Sequence, residues 1–474
     1  MSGHYDSINI LQVQRLLNAS EKSRVSQGPE SLDQAVRYAS DAIAILKSSP
    51  EKDSLEWQVH LTRAWKLCGL AEEERRTPAG RAAAVRAYDE SLKAFLPVLD
   101  PRDAAAQFEL GSIWTHRGMN LLGNPTPAEL HEALRCFDQA IHARSTLPLD
   151  QDWRFGWGLA ASLMNKADAL TRLGHTGELA EAVRCYDQAL TLLASLPASA
   201  PEASVRQRQV VAWMNRGLTL QAQSSPEGNR GALASANAAI AILRTSGFVQ
   251  ETAFKRTLAC ALINQSHAHF SSEPSEALLA RDSAVEAVAL LAGLEEADLV
   301  AAEAGLKARQ ALCRALAWVA EAAPAGEVAN DDWVGEITDA VDDALKLTHV
   351  WEARGETHFR PLAASLFRLG SLVFSTWQPH FLAEYLLDHL DPARSASAPV
   401  NDEDMHAAAQ EALWHAAENL RRRSQTRLGS KDSDAEGEQV ERDLQTLCEL
   451  QEAEARLTEL RQQYLPNASG SRPW

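Results

Sequence analysis

The chain lacks the apolar runs that a membrane segment needs. None of its 474 residues falls in a stretch of ~18 consecutive apolar residues, the length of a transmembrane helix. The first residues, MSGHYDSINILQVQRLL, carry no basic segment followed by a long apolar core, so we expect no signal peptide. These absences predict a protein that works in the cytoplasm and does not enter a membrane.

Cysteine is scarce, and positive charge is outnumbered. The six cysteines form no CxxC pair and fall in helical patterns, which is typical of small buried side chains in a reducing compartment. Lys and Arg number 46 against 64 Asp and Glu, giving a formal net charge of −18. Because such a surface repels phosphate backbones and anionic lipids, we expect neither nucleic acid nor a membrane among the partners.

The short motifs of common catalysts are absent from the sequence. It contains no P-loop, GxGxxG, HExxH or GxSxG motif, and no Cys/His cluster with metal-ligand spacing. His267 and His269 are two residues apart, so on a helix their side chains diverge too far to share a metal ion. We therefore expect no enzyme activity, no cofactor and no metal site.

A repeat is what the sequence does contain. The phrase EALRCFDQAIHAR at residues 132–144 returns as EAVRCYDQALTLL at residues 181–193, which is 49 residues later. Related phrases begin at Gln34, Ala83, Gly231, Leu279 and Glu336. A period this regular is typical of a stacked array of repeats.

Three positions of the phrase share one helical face. The second and ninth positions are small in nearly every copy, and the sixth is aromatic in three copies, Tyr88, Phe137 and Tyr186. Because these positions are four and three residues apart, they lie on the same side of a helix. Small residues allow neighbouring helices to approach closely, and the aromatic side chain fills the gap between layers.

A second helix is predicted between successive copies of the phrase, with a bulky residue followed four residues later by a small one. The bulky column is Leu16, Trp65, Trp114, Leu163, Trp213, Leu262, Ala311 and Leu366. The small column is Ser20, Gly69, Gly118, Ala167, Gly217, Ser266, Ala315 and Gly370. Glycine inside a helix costs ~1 kcal/mol relative to alanine, so its recurrence indicates close contact with a partner helix. Each unit is thus a helix hairpin, and stacking the hairpins buries their apolar faces.

One unit in particular resembles the tetratricopeptide repeat (TPR). Its first helix is LMNKADALTRLG at residues 163–174, and its second is EAVRCYDQALTLLASLP at residues 181–197. The residues that match the family pattern are Leu163, Ala167, Leu170 and Gly174 on the first helix and Ala182, Tyr186 and Ala189 on the second. The resemblance extends over residues 16–374, although the period of 49 exceeds the family's repeat of about 34 residues.

This resemblance implies an all-α fold, a right-handed α-solenoid of antiparallel helix hairpins that forms a TPR-like superhelix with a C-terminal helical cap. We expect four segments: a TPR-like solenoid of about seven hairpins plus one extra helix at 1–376, a short helix and linker at 377–401, a capping helix pair at 402–465, and a disordered tail at 466–474. The last helix could also join two copies of the chain in a homodimer.

Apolar residues in the C-terminal pair predict that it docks on the array rather than extending into solvent. They are Leu413, Trp414 and Leu420 on one helix and Leu450, Leu457, Leu460 and Tyr464 on the other. Two placements are open: the pair covers the final hairpin, or it lies in the groove of the array.

In TPR proteins the first helices line a concave groove, and the resemblance implies which residues face it here. The candidate partner-binding residues are His116, Met119, Met164, Asn165, Asp168, Met214, Asn215, Leu218, Ile263, Asn264 and His267. An apolar floor with methionine, flanked by asparagine, suits an amphipathic helix or an extended peptide. The recurring asparagine either bonds a neighbouring repeat or contacts the ligand.

Some members of the family grip a C-terminal carboxylate with lysines and arginines of the groove. Here Lys and Arg do not occupy those positions in consecutive repeats, so we do not expect that mode. The sequence predicts a non-catalytic scaffold or adaptor that binds a protein or peptide. The alternatives are a regulatory sensor module autoinhibited by its C-terminal helices and an enzyme accessory subunit.

Overall fold

The computed structural model describes residues 2–26, 28–49, 52–245, 251–269, 276–322, 332–391, 394, 403–428 and 434–465. All regular structure in these residues is helical and comprises eighteen α-helices and a single turn of 3-10 helix. The chain divides into two compact units, Met1–Gly228 and Asn229–Trp474.

Unit 1 contains nine complete helices and the start of a tenth. They are α1 (Ser2–Val25), α2 (Pro29–Ser48), α3 (Leu55–Glu74), α4 (Pro78–Phe95), α5 (Ala104–Leu121), α6 (Pro127–Ser145), α7 (Trp153–Leu173), α8 (Thr176–Ala194), α9 (Glu202–Ala222) and α10 (Pro226–Thr245), with the 3-10 turn at Leu96–Val98. The odd-numbered helices are the first helices of the hairpins, and the even-numbered helices are the second.

Unit 2 continues with eight more helices. They are α11 (Thr252–His269), α12 (Ala277–Leu291), α13 (Leu299–Ala322), α14 (Asp332–Glu352), α15 (Arg360–Trp377), α16 (Pro379–Leu390), α17 (Glu403–Leu428) and α18 (Asp434–Tyr464). Within each unit, helices that follow one another along the chain pack as pairs, as α3 does with α4 and α15 does with α16. The predicted all-α fold of stacked hairpins is confirmed within both units.

Proline and threonine mark the starts of second helices. Pro29, Pro78 and Pro127 stand at the first helical position, where a missing N–H is not needed and the fixed φ suits a helix. Before α6, the hydroxyl of Thr126 accepts a hydrogen bond from the backbone N–H of Glu129, whose carboxylate accepts one from the Thr126 backbone in return. These caps fix where each hairpin turns.

The three columns of the repeated phrase are buried as predicted. The second position is buried in every copy: Ala35, Ala84, Ala133, Ala182, Ala232, Ala280 and Ile337. The same is true of the sixth and ninth positions, including Tyr88, Phe137 and Tyr186. Alanine at these positions lets the second helix lie close against its neighbours, and the burial confirms the packing face.

The recurring glycines of the first helices face the aromatic residues of the second helices. A Cβ built on Gly118 would lie 2.6 Å from the ring of Phe137, and one on Gly69 would lie 2.7 Å from Tyr88. No side chain fits there without moving a ring. The reason predicted for mid-helix glycine, close contact with the partner helix, is therefore confirmed at these sites.

The same contact reveals an additional hairpin. A Cβ on Gly370 of α15 would meet the hydroxyl of Tyr385 on α16. Tyr385 also stacks on Phe367 and Phe374 of α15, with ring centroids 5.6 and 4.5 Å apart. The helix that the sequence placed alone at the end of the array thus pairs with the short helix that follows it.

Within unit 2, α17 packs against α15 and α18 packs against α16. Five of the predicted docking residues are buried: Leu413, Leu420, Leu450, Leu457 and Leu460. Trp414 is 44% exposed and Tyr464 is 42% exposed, so the sequence analysis assigned these two to the docking face wrongly. The predicted tail at 466–474 and most of the predicted linker lie outside the described residues.

Four of the six cysteines, Cys68, Cys136, Cys185 and Cys313, are buried as predicted, whereas Cys448 is exposed.

Among the described helices, none combines the length and the apolar character required to cross a bilayer.

Candidate partner-binding face

The candidate residues of unit 1 lie on three successive first helices, α5, α7 and α9. We call their shared surface the α5–α7–α9 face and define it by His116, Met119, Met164, Asn165, Asp168, Met214, Asn215 and Leu218. Neighbouring first helices are in contact and are joined by hydrogen bonds. The Oγ1 atoms of Thr171 and Thr219 are 2.8 Å apart, and an Nη1 of Arg172 donates to the carbonyl of Leu122 at 2.6 Å.

The apolar members of the face differ in exposure. Met119 is 42% exposed and Leu218 is 45% exposed, while Met164 and Met214 are half-buried. Met164 packs against the core between α7 and α8. The face therefore presents exposed apolar side chains on α5 and α9 and half-buried methionines on α7 and α9.

His116 belongs to a polar network that joins α3 to α5. Its Nδ1 lies 3.2 Å from Oε2 of Glu73, which also accepts hydrogen bonds from Asn120 Nδ2 and the Tyr88 hydroxyl, both at 2.9 Å. Burial alone would raise the pKa of Glu73, but the hydrogen bonds from these three side chains outweigh it and lower that pKa. His116 thus links repeats and is only partly free to meet a ligand.

The asparagines of the face fall into two kinds. The side chain of Asn215 hydrogen-bonds the hydroxyl of Tyr186, from the hairpin before it. Asn165 is half-buried and has no hydrogen-bond partner among the described residues. Asn215 therefore bonds a neighbouring repeat, whereas Asn165 leaves its side-chain amide available.

Asp168 forms an ion pair with Arg172 one turn later on α7, at 3.0 Å, and both side chains are partly exposed to solvent. Such a surface pair adds little stability. Its carboxylate therefore stays accessible at the edge of the face.

Three candidates lie on α11 in unit 2. Ile263 is only 5% exposed and contributes to packing. Asn264 and His267 are half-buried, and the Nε2 atom of His267 is enclosed without a hydrogen-bond partner. Burial, with a smaller effect of Arg314, lowers the pKa of His267.

A set of cations that the sequence analysis overlooked joins consecutive hairpins. We call Arg117, Lys166 and Arg216 the paired cations. Each lies three residues after a bulky residue of a first helix and bonds an aspartate of the preceding second helix, namely Asp89, Asp138 and Asp187, at 2.7 to 2.9 Å. The signal was available, because the aspartates and the cations both recur with the repeat period.

The start of α7, WRFGWG, is a second feature that the sequence analysis missed. Alternating aromatics and glycines are unusual in a helix, because glycine weakens it and the aromatics need space. In the structure Trp157 stacks on Arg208, and Gly158 lies next to Arg144.

Among the described residues, no group of three or more His, Cys, Asp or Glu could hold a metal ion.

The hairpins and their columns define an all-α helical-repeat protein of stacked helix hairpins. No protein-family model and no curated protein matches the chain. Solved structures resemble it at low identity.

Three of these structures illustrate the range. BtubC (BKLC) from P. vanneervenii is 14% identical, with a TM-score of 0.42 over 56% of this chain and 92% of that one. The Rap protein complexed with competence and sporulation factor is 14% identical, with a TM-score of 0.35 over 96% and 99%. A circular tandem repeat protein is 13% identical, with a TM-score of 0.21 over 96% and 98%. With scores this low, these likenesses carry no argument about function.

Proposed function

We propose that the protein is a non-catalytic scaffold that binds a peptide or a protein segment on the α5–α7–α9 face. The observation that supports the proposal is the exposure of Met119 and Leu218 on helices where every other large apolar side chain except Val211 is buried or half-buried. Val211, two turns before Leu218 on the same side of α9, is also exposed at 41%. Apolar side chains grouped on one surface are typical of interaction sites.

The polar members of the face suit an extended peptide. The free amide of Asn165 lies between the apolar residues of α5 and α9 and can bond a peptide backbone as both donor and acceptor. Methionine adapts its shape to different side chains, which favours the half-buried Met164 and Met214 as the floor. A helix-repeat surface supplies such a floor along several hairpins.

The test uses the full chain and three glutamate variants. Peptides are selected from a phage-displayed random library on the wild-type protein, and their affinity is measured by fluorescence anisotropy. Met119→Glu and Leu218→Glu should each weaken binding at least ~10-fold, the effect typical of losing an interface anchor. Leu96→Glu is the control, because Leu96 is 48% exposed but lies on the 3-10 turn after α4. Peptides that bind all four proteins equally would refute the assignment of this face.

A second candidate, a regulatory module held by its own C-terminal helices, is favoured by one contact in unit 2. Arg368 of α15 occupies the column of Asn165 and Asn215, and its Nη2 donates to Glu411 of α17 at 2.8 Å. The corresponding position on α15 is therefore contacted by the chain itself, although the Arg368 side chain stays 65% exposed. If α17 restricts access to this part of unit 2, Glu411→Lys should add peptide binding that Met119→Glu and Leu218→Glu do not weaken, whereas unchanged binding would count against regulation.

We further propose a cytoplasmic location, which the six free cysteines support. A homodimer through α18 stays a prediction.

A further inference from the structure

Arg144, near the end of α6, reaches between two first helices. Its Nη1 donates to Thr115 Oγ1 at 2.9 Å on α5, and to the Gly158 carbonyl at 2.9 Å and Ser162 Oγ at 2.5 Å on α7. The residue is only 5% exposed. All three acceptors are neutral.

Two glycines make room for this side chain. A Cβ on Gly111 of α5 would lie 2.8 Å from Arg144 Cγ and Nε, and one on Gly158 of α7 would lie 3.2 Å from Nε. Both glycines are inside helices, where alanine would be favoured by ~1 kcal/mol. The local sequence therefore accommodates the arginine at the expense of helix stability.

No carboxylate pairs with Arg144 among the described residues. The acidic residue that acts on the pKa of Arg144 is Glu109, whose two oxygens each accept a bond from Lys66 Nζ at 2.8 Å. Nε of Arg144 is enclosed without a partner, while Nη2 also has none but is not fully enclosed. Burial lowers the pKa of Arg144 to about 10, with Glu109 raising it and Arg208 lowering it, so the side chain is a cation at neutral pH.

Arg208 on α9 is a second cation of this kind. Its Cζ lies 3.9 Å from the centre of the Trp157 ring on α7, and no ion pair to it occurs in the described part of the chain. Burial lowers the pKa of Arg208. It stands seven residues before Asn215, two helical turns away on the same face.

Aromatic rings hold both guanidinium groups. Arg144 Cζ lies 5.5 Å from the Phe108 ring, and Phe108 in turn packs on Phe155 with centroids 5.6 Å apart. Trp157 is braced by Trp153 with centroids 6.0 Å apart. Rings that stack on a guanidinium restrain its plane and leave its N–H edges free to bond.

We infer that Arg144 and Arg208 form an oxyanion-binding site on the α5–α7–α9 face, and that the ligand places a carboxylate or a phosphate group there. Guanidinium groups bind both kinds of anion. Arg208 can do so with two of its nitrogens, and Arg144 with Nη2, because its Nη1 is already bonded and its Nε is enclosed. One buried and one half-buried cation without counter-ions are costly in the free protein, and an anionic ligand would compensate them. The inference deepens the proposed function, because it assigns the charged group of the bound peptide.

The test needs no peptide. Thermal unfolding of the full chain is followed while sodium phosphate or sodium acetate replaces sodium chloride at constant ionic strength. The variant is Arg208→Gln, and the matched control is Arg206→Gln, which removes a cation two residues away that pairs with Glu202. The control also cancels the general stabilising effect of phosphate on folded proteins.

The expected result is a saturable rise in melting temperature for the wild type and Arg206→Gln, with the apparent affinity reduced at least ~10-fold in Arg208→Gln. Arg144→Lys, which keeps the charge but loses the planar fork, should also weaken binding. A response to phosphate alone assigns a phosphate group, and a response to acetate assigns a carboxylate. No saturable rise, or an equal rise in Arg208→Gln, overturns the site. Peptide binding with no ion response would leave the proposed function standing without this site.

Discussion

Two sets of buried or half-buried cations lie in the same hairpins, and only one set is paired with acidic side chains. Lys166 bonds Asp138 of the preceding hairpin at 2.9 Å and Glu181 of its own at 2.6 Å. Arg144 and Arg208 have aromatic and neutral neighbours instead. The first arrangement recurs with the repeat and joins hairpins; the second occurs once and breaks the pattern. Departures from a repeat's own rule mark sites that serve something other than stability.

The sharpest test of this contrast replaces one cation of each set by methionine. Lys166→Met should destabilise the protein by about 1–2 kcal/mol, because two carboxylates lose their partner while solvent still reaches them. Arg144→Met should change stability by less than about 1 kcal/mol, because an uncompensated charge is removed. Thr115 and Ser162 keep their bonds to the carbonyls of Gly111 and Gly158. Chemical denaturation measures both, and a larger loss for Arg144→Met would reverse the interpretation.

A double-mutant cycle examines the room made for Arg144. In the wild type, Gly111→Ala should bring no gain, because the new Cβ displaces the arginine from its hydrogen bonds. In an Arg144→Ala background the same change should stabilise the protein by about 1 kcal/mol, the helix preference of alanine over glycine. Equal effects in the two backgrounds would show that the glycine is not there for the arginine.

The smallest effect concerns the contribution of Glu73 to stability at acid pH. Glu73 is a carboxylate of unit 1 that three side chains hydrogen-bond. Its pKa is lowered in the folded state, so its stabilisation is complete above the ordinary value of 4.5 and is lost as pH falls through the folded-state value. Asn120→Ala removes one of the hydrogen bonds that lower this pKa. The variant should lose less stability than the wild type between neutral and acid pH, and the exposed control Asn124→Ala should not differ from the wild type.

The hairpins could be predicted from the sequence because the residues that pack them together recur at fixed intervals. Ala182, Tyr186 and Ala189 repeat at fixed spacing, and the helix period converts that spacing into a buried face. The eighth hairpin was missed because α16 keeps the aromatic Tyr385 but not the flanking alanines of the phrase. Periodicity identifies copies that conserve the pattern and overlooks those that retain only its central contact.

The site was less predictable for a physical reason. The column positions of Met119, Asn165 and Leu218 follow from helix geometry, but the direction of a long side chain does not. Arg144 ends the repeated phrase, where a basic residue near a helix terminus is unremarkable. Its course between α5 and α7 depends on Gly111 and Gly158, which lie on other helices and carry no periodic signal.

The paired cations also have a mechanical consequence. Arg117 forms ion pairs with Asp89 in the preceding hairpin and with Glu132 in its own hairpin, both at 2.7 Å. Each such residue therefore links two neighbouring hairpins. Under tension applied at the chain ends, such an ion pair resists until it breaks, and the next hairpin then loses this contact with its neighbour. Each opening would release one repeat of 49 residues, or about 160 Å of extended chain. Unit 1 would therefore unfold under force in discrete steps of equal length, one repeat at a time.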